Sequence, residues 1–185
     1  MSESFVTFLE ALADENRQVR TLDLPELSDL TRDELANFCA AWQSVSPDRR
    51  LELISTMVAQ AEVNIHLNFH AILRVCLRDA DARIRKLAVE GLWEDEKTNL
   101  VSPLIELLNG DTAADVRAAA AMSLGRYMLL GALGEIADAP ARRVETALHA
   151  AWCRFAEPAE VRRRALESLA YSSSPAIHEM IHSAY

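Results

Sequence analysis

The sequence predicts an all-α protein, organised as a short right-handed superhelix of stacked helical hairpins. Three observations carry that expectation. Five of the six prolines stand where helices begin. The apolar residues between them recur at helical spacing and never settle into a sustained alternation. One short pattern also returns along the chain, in copies that start at residues 44, 79, 111 and 156.

In chain order, MSESFVTFLEALADENR predicts a helix over 3–18, and Pro25 in TLDLPELSDL marks a connecting stretch before Thr31. A second helix is expected over 31–44. Proline suits a first helical turn because its missing N–H would have no intrahelical partner there. Ser46-Pro47 accordingly opens a helix over 47–63, Ser102-Pro103 marks the start of one over 99–109, and Asp138-Ala139-Pro140 opens 140–156. Glu157-Pro158 and Ser174-Pro175 open 158–172 and 175–184 in the same way. Helices over 65–78, 81–94 and 112–130 rest on spacing alone. Ile84, Leu87, Ala88 and Leu92 follow the three-and-four rule, as do Val116, Ala119, Ala120 and Leu124. No run is rich enough in Val, Ile and Thr to predict a strand.

The repeat emerges when DADARIRKLAVEGL (79–92) is laid over DTAADVRAAAAMSL (111–124). Asp79 meets Asp111, Ile84-Arg85 meets Val116-Arg117, Ala88 meets Ala120, and Leu92 meets Leu124. AEPAEVRRRALESL (156–169) keeps Val161-Arg162, Ala165 and Leu169 but lacks the leading aspartate. SVSPDRRLELISTM (44–57) is weaker, with Arg50 kept and Leu53 and Met57 at the two core positions. This separation is that of one helix pair in a stacked array.

The D-x-x-x-x-[VI]-R-x-x-A-x-x-x-L pattern, following an apolar helix such as LVSPLIELLNGD, resembles HEAT repeats, particularly the HEAT-like type named after phycobilisome lyases. The resemblance is good over 65–172 and faint over 31–63. It implies a single α-solenoid domain over 1–185, with a cap helix and connector in 1–30 and a degenerate repeat in 31–63. Repeats at 64–96, 97–137 and 138–173 would follow, then the first helix of an incomplete unit at 174–185. The resemblance further implies a structural ladder of Asp79, Arg85, Asp111, Arg117 and Arg162, bonding within and between neighbouring repeats. Small Ala88, Ala120 and Ala165 would let paired helices approach closely.

The totals narrow the function classes. Nineteen basic against 28 acidic residues leave a net charge of −9, and a protein that neutralises many phosphates needs a basic face, so no nucleic-acid partner is expected. The Arg162-Arg163-Arg164 and Arg142-Arg143 clusters read as solvated helix faces. No apolar run is long enough for a membrane span, and the acidic N-terminus is unlike a secretory signal, so a cytoplasmic protein without a membrane partner is expected. Cys39, Cys76 and Cys153 are odd in number and widely spaced, which points to buried free thiols.

His178-Glu179-Met180-Ile181-His182 matches H-E-x-x-H, the helical motif in which two histidines bind zinc and the glutamate activates water. A catalytic zinc needs a third protein ligand and an open position, and the expectation is that none follows in the remaining three residues. The segment reads instead as a packing helix that buries Ile177, Met180, Ile181 and Ala184. His66 and His70 form a second pair four apart, without a carboxylate of suitable spacing. A HEAT-like iron enzyme uses several His-Glu dipeptides, and only His178-Glu179 occurs here. HEAT-like DNA glycosylases are basic in their groove, unlike this chain.

No catalytic, cofactor-binding or metal-binding residues are therefore assigned, and no cofactor is expected. The expected function is a non-catalytic protein-interaction module or scaffold whose partner is another protein. Trp93, Glu90, Met122 and Arg126 are its candidate binding surface, because second helices line the concave face of such arrays. A chromophore lyase or chaperone like the phycobilisome branch is the alternative, and a zinc hydrolase using HEMIH is a remote one. Self-association through Ile177, Met180, Ile181 and Tyr185 of the C-terminal helix is a further expectation.

Overall fold

The structure, a computed structural model, describes residues 3–14 and 21–184. Among the described residues the protein is all-helical, with no strand. The helices are α1 (Glu3–Ala13), α2 (Arg32–Trp42), α3 (Pro47–Val63), α4 (His70–Cys76), α5 (Ala82–Gly91), α6 (Val101–Gly110), α7 (Ala114–Ala132), α8 (Asp138–Cys153), α9 (Ala159–Leu169) and α10 (Pro175–Ala184). Short 3-10 helices occupy Thr21–Leu27 and Thr98–Leu100. No described helix is long and apolar enough to cross a membrane. The chain divides into two compact units, Met1–Leu92 and Trp93–Tyr185.

The helix expectations are met closely, with instructive departures. The first helix ends at Ala13, and 15–18 of its expected span lie outside the described residues. The connector around Pro25 is a 3-10 helix that buries Leu24 and Leu27. The helix expected over 65–78 starts only at His70. Asn64 Oδ1 accepts the His66 N–H at 3.1 Å and Asn68 Oδ1 accepts the His70 N–H at 3.0 Å, turns that compete with helix. The Asn68 amide also donates to Asp29 Oδ1 at 2.7 Å, which ties this segment to the 28–29 loop. His66 thus lies in a turn, so the His66/His70 pair does not share a helix face. Two proline readings also shift. Ser102-Pro103 falls inside the first turn of α6 rather than before it, and Pro158 is itself the N-cap of α9.

In the first unit α1 buries Phe5, Phe8 and Leu12 against α2 and the 3-10 helix. Arg49 closes the end of α1 by donating to the carbonyls of Ala11 and Leu12, each at 2.8 Å. Thr31 and Glu34 form a reciprocal capping box at the start of α2. The Thr31 hydroxyl bond also holds the Glu34 carboxyl below its ordinary range. Further along, α2 packs on α4, α3 on α5, and α4 on α5. In the second unit α6 packs on α8, α7 on α9, and each consecutive pair from α6 to α9 is also in contact.

The repeated positions are the buried ones. Ala88, Ala120 and Ala165 have no exposed surface, and neither do Leu92, Leu124 and Leu169. Leu53 and Met57 of the weaker copy are buried likewise. The cysteines depart from expectation. Cys76 is buried, its thiol pushed up by burial and by nearby Asp79, and Cys39 is half-buried. Cys153 is exposed at the end of α8, with Sγ 3.7 Å from His149 Nε2, because that helix end lies uncovered.

Arginine–carboxylate pairs join successive hairpins inside each unit. In the first, Asp79 Oδ2 accepts from Arg50 Nη1 at 2.7 Å and from Trp42 Nε1 at 3.0 Å, while Oδ1 accepts the Asp81 N–H at 2.9 Å. Arg85 turns back to the carbonyls of Asp79 and Ala80. In the second, Arg117 donates through Nη1 to the Asp111 carbonyl at 2.7 Å and through Nε to Glu157 Oε1 at 2.6 Å. Glu157 therefore supplies the acid that the copy at 156–169 lacks at its leading position.

Both partners of the Arg117–Glu157 pair are largely buried, so removing one strands the other. Arg117→Ala is expected to destabilise the second unit by about 1–3 kcal/mol. Combined with Glu157→Ala, it should cost less than the sum of the single changes. Urea unfolding of the four proteins in the cycle tests this, and strictly additive costs would remove the pair from the junction.

Candidate protein-interaction surface

α7 has apolar side chains all the way round, and its packing decides which stay in water. Val116, Ala120, Leu124, Tyr127 and Met128 face the interior of the second unit. Gly125 sets the distance to α9. A Cβ there would lie 2.6 Å from Ser168 Oγ, 3.0 Å from its Cβ and 3.3 Å from its Cα. Ser168 cannot rotate away freely, because its hydroxyl donates to the Ala121 carbonyl at 2.9 Å in a buried position. The two helices thus meet almost backbone to backbone at this point.

The outward side of α7 keeps Met122 at 61% exposure, Leu129 at 40% and Leu133 at 61%. With Arg126 between them, these residues stand at the three-and-four spacing of one helix face. Arg126 Nη2 donates to the Asp95 carbonyl at 2.7 Å, and the buried Tyr127 hydroxyl donates to that same carbonyl at 2.7 Å. Asp95 is itself buried, with Oδ1 accepting the Lys97 N–H. The loop that carries Trp93 is therefore pinned to α7 by two donors, while Trp93 itself is 58% exposed.

Of the four residues expected to form a binding surface, the structure places Met122 and Arg126 on one face of α7. It attaches Trp93 through the loop that Arg126 holds. Glu90 lies in the first unit, on α5, paired with Lys86 at 3.7 Å. Leu129 and Leu133 went unread in the sequence. Their spacing from Met122 was visible, but on a helix apolar all round nothing marked that face as the outer one.

The arginine clusters are compensated. On α9, Arg163 and Arg164 each pair with both Glu160 and Glu167, at 2.6–3.1 Å. The Arg163 bonds hold the Glu160 carboxyl below its ordinary value. Arg142 pairs with Asp138, and Arg143 donates to Ser102 Oγ.

The HEMIH segment forms half of α10. His178 Nε2 lies 2.6 Å from the Ser172 carbonyl, and His182 is exposed. Among the described residues no group of three or more His, Cys, Asp or Glu side chains is placed to hold a metal ion. Of the expected packing face Ile177 is buried and Met180 and Ile181 are half-buried. The side chain of Ala184, and Tyr185, lie outside the described residues.

Gly125→Ala is expected to lower stability by about 1–3 kcal/mol through overpacking against Ser168, outweighing the gain of about 1 kcal/mol in helix propensity. A thermal midpoint that stays level or rises would refute the close approach. The α9 ladder should respond to acid alone. Because the folded Glu160 value is lowered, its stabilisation is present above the unfolded-state value of about 4.3 and is lost as pH falls through the lower folded value. An NMR titration of the Glu160 carboxyl is expected to show a midpoint below that figure.

Comparison with protein-family models and with curated proteins finds no match for this chain.

Proposed function

We propose that the protein is a non-catalytic protein-interaction module or scaffold, built from HEAT-like hairpins stacked as short α-solenoid segments. The apolar face of α7 carries this reading. Met122, Leu129 and Leu133 hold their side chains in water on a helix that is fixed against α9 beside them, at Gly125. Apolar side chains grouped on one exposed face mark a surface that another molecule covers. Arg126 and Trp93 add the residue types that anchor protein interfaces most often. The fixed loop lowers the ordering cost of binding.

Stacking is supported by the order of contacts inside each unit, where alternate helices pack side by side: α2 with α4 and α3 with α5, then α6 with α8 and α7 with α9. The arginine–acid pairs at both junctions match what the HEAT resemblance implies for Asp79 and Arg117. Neutralisation of Arg163 and Arg164 by two glutamates favours a protein partner over a polyanion.

The test is retention of partners on the immobilised full-length protein, identified by mass spectrometry. It should be run in parallel with a Met122→Glu/Leu129→Glu variant. Both changes lie on the exposed side, so folding should be unaffected, as checked by circular dichroism. Proteins held by the parent and released at least tenfold by the variant are the expected result. An identical retained set would overturn the α7 surface. A retained set that is mainly nucleic acid, lost at moderate salt, would overturn the partner class.

A further inference from the structure

Four arginines occupy one register position on successive second helices: Arg50 on α3, Arg85 on α5, Arg117 on α7 and Arg162 on α9. Arg50 and Arg117 meet a carboxylate from the following hairpin, Asp79 and Glu157 respectively, and Arg85 donates to the carbonyls of Asp79 and Ala80. Arg162 meets no carboxylate among the described residues. Its Nε donates to the Trp152 carbonyl at 3.0 Å. Its guanidinium lies 4.8 Å from the Trp152 ring centroid and 5.3 Å from that of Phe155. Phe155 is 88% exposed. The adjacent Arg163 and Arg164 are satisfied by Glu160 and Glu167, so Arg162 is the cation of this helix that lacks an acid.

The first unit shows what such a group is suited to hold. There, too, an arginine lies over a tryptophan near the end of the preceding first helix, with Arg50 5.7 Å from the Trp42 centroid. One carboxylate oxygen, Asp79 Oδ2, then accepts from both the guanidinium and the indole N–H. In the second unit the arginine and the tryptophan are both present. The two Nη groups of Arg162 and the indole N–H of Trp152 have no hydrogen-bond partner among the described residues. The stacked rings restrict the guanidinium, so less freedom is lost when an acid arrives.

We propose that Arg162, with Trp152 and Phe155, is a docking socket for an aspartate or glutamate side chain of a partner protein. The incoming carboxylate takes the place that Asp79 takes on Arg50, and an apolar neighbour of that acid covers Phe155. A carboxylate is favoured over a metal-bound or phosphate anion because the filled example in the same chain uses a single carboxylate shared with an indole. The inference stands on these junction contacts and does not rest on the α7 surface.

The test follows the indole N–H resonance of Trp152 in the full-length protein, assigned with Trp152→Phe. The probe is a synthetic peptide of residues 77–83, LRDADAR, which carries the loop that fills the Arg50 site. Its control carries Asp79→Asn. A saturable shift with the aspartate peptide, at least tenfold weaker with the control and lost in Arg162→Gln, is expected. Phe155→Ala changes a side chain that contributes little to the core, and is expected to weaken the response severalfold without loss of structure. Equal responses to both peptides, or an undiminished response in Arg162→Gln, would overturn the socket. Sodium sulfate at matched ionic strength giving the same shift would overturn carboxylate selectivity. A shift that grows with protein concentration alone, and vanishes in Arg162→Gln, would assign the acid to a second copy of this chain and overturn a separate partner.

Discussion

Within each unit the connection between hairpins depends on one interaction: an arginine from one second helix reaching a carboxylate in the loop of the next hairpin. Taking these charges out of water is costly, and the cost is offset only where geometry and further hydrogen bonds are good. Asp79 meets that condition with three donors from three different residues. Arg117 meets it by spending separate nitrogens on a carbonyl of its own loop and on Glu157. A hairpin shifted by one turn would leave both charges buried and unpaired. The pair thus acts on register, while the alanines and leucines beneath it supply the apolar burial.

That division of labour explains how α7 can be a core helix and still keep apolar side chains in water. The helix is committed at close range through Gly125 against Ser168 of α9 and through Gly131, where an added Cβ would lie 2.6 Å from that of Ala141 on α8. Its outer side is then free to remain apolar without cost to the packing beneath. Tyr127 and Arg126 convert the 93–97 loop from a flexible connection into a fixed rim, since both donate to one carbonyl of that loop. The same economy is visible on α9, where an exposed row of alternating arginines and glutamates satisfies itself and leaves Arg162 alone turned toward aromatic rings.

Much of the fold was legible in the residues because helices respond to local rules. Prolines at helix starts, three-and-four spacing and the recurring arginine–alanine–leucine pattern placed nearly every helix within a few residues. The failures were local as well. Asn64 and Asn68 compete for the backbone with their side chains, and that delayed α4 and removed His66 from it. The H-E-x-x-H match was correct as a pattern and as a helix, yet its first histidine is spent on the Ser172 carbonyl and its second faces water.

By itself the sequence determined the helical class, the lengths of most elements and the positions that repeat, because these depend on neighbours three or four residues apart. Tertiary structure decided what depends on residues far apart in the chain. It assigned Glu157 to the acid position that the repeat pattern shows as empty, which required a side chain one step out of register to reach Arg117. It chose which apolar face of α7 stays in water, since periodicity cannot rank faces on a helix apolar all round. It also set Arg162 against Trp152 and Phe155 without an acid, whereas the sequence shows only one more copy of a repeated arginine. Long-range pairing is set by which groups the folded backbone brings within hydrogen-bond distance, and no local spacing encodes that.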